Sequence, residues 1–169
     1  MPRQIKEEQI KEGVPWAYFN GASQNNKAGA GLIIHITERH SLKAFVGLGS
    51  GSNNYAERSA LKLLLCWMIY RNIFTVQIFG DSLNMIKWAN DQSRCQNYIL
   101  FPLLEKIQQL KLSFNTFSIH HIYRECNKDT DKLSKEGLQQ DLGSWRIDEE
   151  INGGVHHSDQ PPHRLLASA

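Results

Sequence analysis

The spacing of apolar residues changes at Asn53, and this change constrains the fold more than any other feature of the chain. Before it, segments 16–23, 30–36 and 42–48 are rich in apolar and β-branched residues and are separated by polar stretches, which is typical of consecutive strands. After it, apolar residues recur at three- and four-residue steps over about 18 residues, which predicts an amphipathic helix. Ser52, Asn53 or Asn54 would cap that helix.

Downstream of this helix, segments with the apolar pattern of a strand alternate with segments that have the apolar spacing of a helix. Strands are predicted at 75–79 and 117–123, and helices at 83–89, 99–110 and 129–138. The predicted order is βββαβααβα. Three strands followed by strand–helix alternation indicate an α/β fold in which helices flank a five-stranded mixed sheet.

Composition divides the chain into three parts. Residues 1–13 are a polar lead-in, and residues 14–140 carry the periodic segments of one domain. Residues 141–169 are rich in turn formers, so this tail is predicted to be largely disordered. No apolar run approaches the ~20 residues of a membrane span, and the charged start lacks the apolar stretch of a secretion signal.

Net charge and cysteine content indicate which ligands and which cellular compartment are compatible with the sequence. A net charge of +2 permits nucleic-acid binding without requiring it. The three widely spaced cysteines form no CxxC pair, which argues against a disulfide framework or a structural zinc site. The expected location is therefore intracellular, in the cytoplasm or the nucleus.

Three acidic residues, Glu57, Asp81 and Asp131, stand in contexts that suit metal-dependent hydrolysis of a phosphodiester. Asp81 follows a predicted strand, and side chains at the carboxyl ends of neighbouring parallel strands meet at one edge of a sheet. Asn20, in the first strand, would join them if the first and fourth strands are neighbours. Oxygen ligands without His or Cys select hard ions such as Mg²⁺ or Mn²⁺.

Four motifs in the same order resemble those of the ribonuclease H domain, in particular the plant reverse-transcriptase-associated type of retroelements. FNGAS (19–23) is similar to the family's F-D-G-[AS]-S, and NNYAE (53–57) matches its N-N-x-A-E. GDS (80–82) matches in full, and RECNKDTDKLS (124–134) is similar to R-E-x-N-x-x-A-D-x-L-[AS].

The resemblance implies cleavage of the RNA strand of RNA–DNA hybrids by two Mg²⁺ ions, for which Mn²⁺ can substitute. By position, the catalytic and metal-binding residues would be Asn20, Glu57, Asp81 and Asp131.

The resemblance also implies contacts to nucleic acid, because the paired asparagines of the second motif reach the minor groove, where 2′-hydroxyls distinguish RNA from DNA. The residues expected to make such contacts are Gly21, Asn53, Asn54, Ser82 and Asn127.

Asn20 stands where the family has its first catalytic Asp. The main hypothesis is therefore a monomeric domain that binds RNA–DNA hybrid, does not associate with membranes, and has weakened or lost nuclease activity. The alternative is a non-catalytic nucleic-acid-binding or protein-interaction domain derived from a retroelement ribonuclease H. Both natural decay and an engineered replacement would account for Asn20. A 3′–5′ exonuclease or integrase of the same superfamily is disfavoured by NNYAE.

Overall fold

Seven strands and four α-helices make up the part of the chain that this computed structural model describes, residues 10–94, 97–162 and 165. The strands are β1 (Trp16–Gln24), β2 (Lys27–Thr37), β3 (His40–Ser50), β4 (Thr75–Gly80), β5 (Thr116–His121), β6 (Trp145–Ile151) and β7 (Gly154–Ser158). The helices are α1 (Asn53–Tyr70), α2 (Leu83–Ala89), α3 (Phe101–Lys111) and α4 (Lys128–Gly137).

The strands form one mixed sheet in the order β5-β4-β1-β2-β3-β6-β7. β1 runs parallel to β4 and β4 runs parallel to β5, whereas the other neighbours are antiparallel. The predicted α/β class and mixed sheet are thus confirmed. The first and fourth strands are indeed neighbours, so β1 and β4 end at the same edge.

The prediction of five strands is wrong, because the residues after α4 add a hairpin to the sheet. β6 pairs with β3 and β7 pairs with β6. Trp145 and Ile147 are 4% and 5% exposed and alternate with the exposed Arg146, as expected of a strand with one buried face. The hairpin is stabilised by this burial and by its pairing with β3.

The predicted disorder of residues 141–169 is therefore wrong over the hairpin. Leu165, beyond it, is fully buried in the core. Positions 163–164 and 166–169 of the predicted tail lie outside the described residues, as do positions 1–9 of the predicted lead-in.

Local sequence explains why these elements begin and turn where they do. Asn25 and Asn26 both have positive φ, 53° and 61°, which closes the two-residue turn between β1 and β2. The Ser52 hydroxyl accepts a hydrogen bond from the Tyr55 amide at 3.2 Å and caps α1, which selects Ser52 from the three predicted capping residues. Within the described residues, no helix is long and apolar enough to cross a membrane.

Two glycines on opposite faces of the sheet let α1 and α4 approach the backbone closely. A Cβ on Gly21 of β1 would lie 2.1 Å from the carbonyl carbon of Ala56, and one on Gly31 of β2 would lie 2.6 Å from the Ser134 amide nitrogen. Such distances are far below van der Waals contact. The helices can sit at this depth only because both strand positions lack a side chain.

The hairpin is also tied to the rest of the domain by an ion-pair cluster around Glu149 of β6. This carboxylate accepts from the Arg71 guanidinium, directly after α1, and lies 2.6 Å from His40 Nε2 at the start of β3. The Arg71 hydrogen bond, aided by His40, lowers the pKa of Glu149 below its ordinary value.

Replacing Glu149 with Gln is expected to lower the Tm at neutral pH by about 2–4 °C, because a partly exposed ion pair contributes about 1 kcal/mol. A carboxyl whose pKa is lowered by folding stabilises above its ordinary pKa, and this contribution disappears as the pH falls through the folded pKa. The gap between wild type and Glu149→Gln should therefore close in acid. Thermal unfolding followed by circular dichroism across pH checks this. Glu150→Gln, at the exposed neighbouring position, is the control, and a gap that persisted in acid would contradict the expectation.

Candidate functional site

The four predicted site residues come together where β1 and β4 end beside α1 and α4. Asn20 lies in β1, and Asp81 directly follows β4. Glu57 is the fifth residue of α1, and Asp131 lies in the first turn of α4. Gly21 and Gly31 set the depth of the two helices, so they also determine how close Glu57 and Asp131 come to β1.

Asn20 and Asp131 are joined directly by a hydrogen bond. Asn20 is 7% exposed, and its Nδ2 donates to Asp131 Oδ1 at 3.1 Å. Lys135, one turn further along α4, places its Nζ 2.9 Å from Asp131 Oδ2. Each oxygen of the Asp131 carboxylate therefore has a donor from the protein itself.

Asp81 is held by a buried asparagine. Asn127 is 2% exposed, and its Nδ2 donates to both Asp81 Oδ2 at 3.2 Å and the Phe19 carbonyl at 3.1 Å. Burial raises the pKa of Asp81, and the charge of Asp131 raises it further, while Asn127 and the Arg124 charge oppose the rise. Asn127 thus links the residue after β4 to the backbone of β1.

Glu57 shares the same electrostatic environment. Burial raises its pKa above the ordinary value, and the nearby Asp81 charge adds to the rise. A hydrogen bond from Ser82 and the positive charges of Arg58 and Arg124 act in the opposite direction. The pKa values of Glu57 and Asp81 are elevated because burial and neighbouring negative charges both disfavour the ionised form.

The residues predicted to contact nucleic acid divide into two groups. Asn53 and Asn54 are exposed at the start of α1, and Asn53 Oδ1 also accepts from the Ser23 amide at 3.0 Å. Ser82 donates to Glu57 and caps α2, and Gly21 faces the α1 backbone.

The prediction for Asn127 is corrected by its burial. A side chain that is 2% exposed and already donates to two acceptors cannot reach a nucleic acid, so Asn127 is a positioning residue for Asp81.

Two cationic residues at the site were missed by the sequence analysis. The Arg124 charge opposes the rise in the pKa of both Glu57 and Asp81, and Lys135 pairs with Asp131. Arg124 is the first residue of the motif RECNKDTDKLS (124–134), which was the signal for it. The i, i+4 spacing of Asp131 and Lys135 on a predicted helix was the available signal for their pairing.

The donor set of this site does not fit two divalent ions. Hard ions require several oxygen ligands, and both oxygens of Asp131 are engaged by Asn20 and Lys135. Among the residues that the structure describes, no three His, Cys, Asp or Glu side chains gather closely enough to hold a metal ion. Asn20 also contributes a neutral amide where a carboxylate would be needed.

Comparison with known proteins identifies the family. The sequence model of the reverse transcriptase-like family matches residues 18–137, well over half of the chain. The chain belongs to this family. The match contains all four predicted site residues and ends at the last residue of α4, so the β6–β7 hairpin lies beyond it.

Solved ribonuclease H structures share the fold of this reverse transcriptase-like domain. RNase H1 from the archaeon Halobacterium salinarum is 26% identical with a TM-score of 0.68, over 75% of this chain and 98% of that one. The N-terminal RNase H domain of a Mycobacterium tuberculosis protein is 19% identical with a TM-score of 0.69, over 74% and 93%. LC11-RNase H1, solved with an RNA/DNA hybrid, is 22% identical with a TM-score of 0.67, over 74% and 96%. The predicted ribonuclease H assignment is confirmed.

Proposed function

We propose that this ribonuclease H domain binds RNA–DNA hybrids and that Asn20 has weakened or abolished cleavage of the RNA strand. The observation that carries the proposal is the hydrogen bond from Asn20 Nδ2 to Asp131 Oδ1 at 3.1 Å. It joins two of the four converging site residues, and it occupies one oxygen of the Asp131 carboxylate with a protein donor. Hybrid as the ligand is supported by LC11-RNase H1, which has the same fold and was solved in complex with an RNA/DNA hybrid.

The exposed asparagines at the start of α1 suit recognition of the RNA strand. Amides both donate and accept, so Asn53 and Asn54 can hydrogen-bond a 2′-hydroxyl, which DNA lacks. They lie four and three residues before Glu57, close to the converging carboxylates. The nucleic acid would therefore pass over the edge of the sheet where β1 and β4 end.

The loss of activity follows from charge. Replacing a carboxylate by a neutral amide removes about 4 kcal/mol of attraction to a unit charge at 4 Å, at an effective dielectric of about 20. Catalysis by a form with Asp at position 20 would use Mg²⁺, or Mn²⁺ in its place, held by carboxylates at positions 20, 57, 81 and 131. The alternative is a wholly non-catalytic domain, and the pairing of both Asp131 oxygens with protein donors favours it.

Finer assignments stay predictions. The resemblance implies that some branches of the family carry an additional histidine loop before the last helix, and the six-residue link 122–127 between β5 and α4, which has no such loop, supports an origin in a plant retroelement. The domain is also proposed to be monomeric and to work in the cytoplasm or the nucleus.

Replacing Asn54 with Ala is expected to weaken hybrid binding about tenfold, the equivalent of one lost hydrogen bond of about 1.4 kcal/mol. Binding to duplex DNA should change less, because DNA has no 2′-hydroxyl. Fluorescence anisotropy with labelled hybrid and labelled DNA of the same sequence, at one fixed salt concentration, measures both affinities. Gln109→Ala, an exposed amide on α3, is the matched control. Equal affinity of the wild type for hybrid and DNA would contradict the proposed function.

A further inference from the structure

The carboxylate of Asp131 is neutralised by the protein itself. Asn20 Nδ2 donates to Oδ1 at 3.1 Å, and Lys135 Nζ lies 2.9 Å from Oδ2. Asn20 is 7% exposed, and Lys135 remains 65% exposed in its side chain. One donor is thus fixed within the sheet, and the other approaches from the solvent side of α4.

The amide of Asn20 has a fixed orientation as a consequence. A carboxylate can only accept, so the NH₂ group of Asn20 must face Asp131, and the amide oxygen must point elsewhere. An aspartate at this position would instead set two carboxylates about 3 Å apart, an arrangement that requires a shared cation or costs stability. The same position therefore decides whether the folded site needs an ion.

We propose that the Asn20 amide and the Lys135 ammonium take the place of a divalent cation at Asp131. The folded site is then complete without metal. A second consequence rests on the proposed function. It is that the domain binds RNA–DNA hybrid without divalent ions.

Thermal unfolding of the full chain tests the inference without nucleic acid. The Tm of the wild type should be the same in EDTA and in Mg²⁺ or Mn²⁺. Asn20→Asp should unfold below the wild type in EDTA and gain about 5–10 °C at a cation concentration about a hundred times its Kd. Asn20→Ala, which loses the donor without adding a charge, should unfold below the wild type with no rescue by the ion. A wild-type Tm that rose with Mn²⁺ as much as that of Asn20→Asp would overturn the inference.

Lys135→Gln provides a second comparison in a chain that keeps Asn20, in case Asn20→Asp does not fold. It should lower the Tm in EDTA, and Mn²⁺ should recover part of the loss. Lys132→Gln, which removes the same charge from an exposed position of α4, should show neither effect. Identical behaviour of the two lysine variants would count against the role of Lys135.

Hybrid binding measured in EDTA and in Mg²⁺ at equal ionic strength tests the second consequence. The wild-type Kd should differ by less than about threefold between the two buffers. A much weaker Kd in EDTA would overturn metal-independent binding. If no hybrid binds in either buffer, the proposed function fails, whereas the thermal comparison still decides whether Asn20 and Lys135 replace the ion.

Discussion

Asn20→Asp is expected to raise the rate of RNA cleavage in an RNA–DNA hybrid about a thousandfold in Mg²⁺ or Mn²⁺. The restored charge is worth about 4 kcal/mol against a unit charge at 4 Å, and each 1.4 kcal/mol changes a rate about tenfold. Glu57 and Asp81 already interact electrostatically, Asn127 holds Asp81 at 3.2 Å, and a carboxylate at position 20 would add the missing charge beside them. A single substitution should therefore be enough to recover activity.

The measurement is cleavage of a hybrid labelled on its RNA strand, by the wild type and by Asn20→Asp at equal concentration. The double variant Asn20→Asp, Glu57→Gln is the control, because it should lose the gain and so exclude a contaminating nuclease. A wild type that cut as fast as Asn20→Asp would show that an amide suffices at this position. Absence of cutting by a folded Asn20→Asp would mean that the site has changed beyond Asn20.

Gly21→Ala is expected to destabilise the domain by more than about 4 kcal/mol, a loss that only a few kinds of substitution produce. The new methyl group would lie 2.1 Å from the carbonyl carbon of Ala56 and 2.3 Å from the amide nitrogen of Glu57. Both contacts are backbone atoms within α1, so no side chain can move aside to relieve them. The helix would have to lift from the sheet, and Glu57 would leave the site with it.

Urea unfolding followed by circular dichroism measures this loss. Gly154→Ala is the matched control, because its nearest contact would be the Ile151 carbonyl at 3.5 Å, an ordinary van der Waals distance. The control should unfold within about 0.5 kcal/mol of the wild type. If Gly21→Ala unfolded at the wild-type midpoint, the close packing of α1 on β1 would not be a requirement of the fold.

The sequence was sufficient for the elements whose pattern is local. The 18-residue helix α1 was predicted at its observed start, because its apolar period and the Ser52 cap both lie within the helix or beside it. α3 begins within two residues of the predicted position 99, and Pro102 lies in its first turn, where proline is tolerated. The adjacency of β1 and β4 entered the sequence prediction only as a condition for Asn20 to join the acidic residues, and the structure meets that condition.

The terminal hairpin was not predicted because its signal is not local. β6 alternates buried Trp145 and Ile147 with polar residues, but only over seven positions. β7 has almost no buried side chains, so its amphipathic pattern is absent and its position is determined by backbone pairing with β6. Such pairing depends on tertiary contacts that composition does not reveal.

At the site, the sequence suggested which residues gather but not how they contact one another. The hydrogen bond from Asn20 to Asp131 joins residues 111 positions apart, and that from Asn127 to the Phe19 carbonyl joins residues 108 apart. A motif shows that an asparagine is present at position 127. Only the packing shows that it is buried and therefore supports Asp81 instead of contacting nucleic acid.

The β6–β7 hairpin also changes which strand forms the outer edge of the sheet. Without it, β3 would expose unpaired backbone groups over His40–Val46, the seven residues that pair with β6, and such an edge is a template for pairing with another chain. With it, the edge on that side is β7, which is five residues long. By pairing with β3, the hairpin leaves a shorter strand edge available for association with another copy of the chain. A chain cut at residue 137, where the family match ends, would lose this protection while keeping every residue of the site.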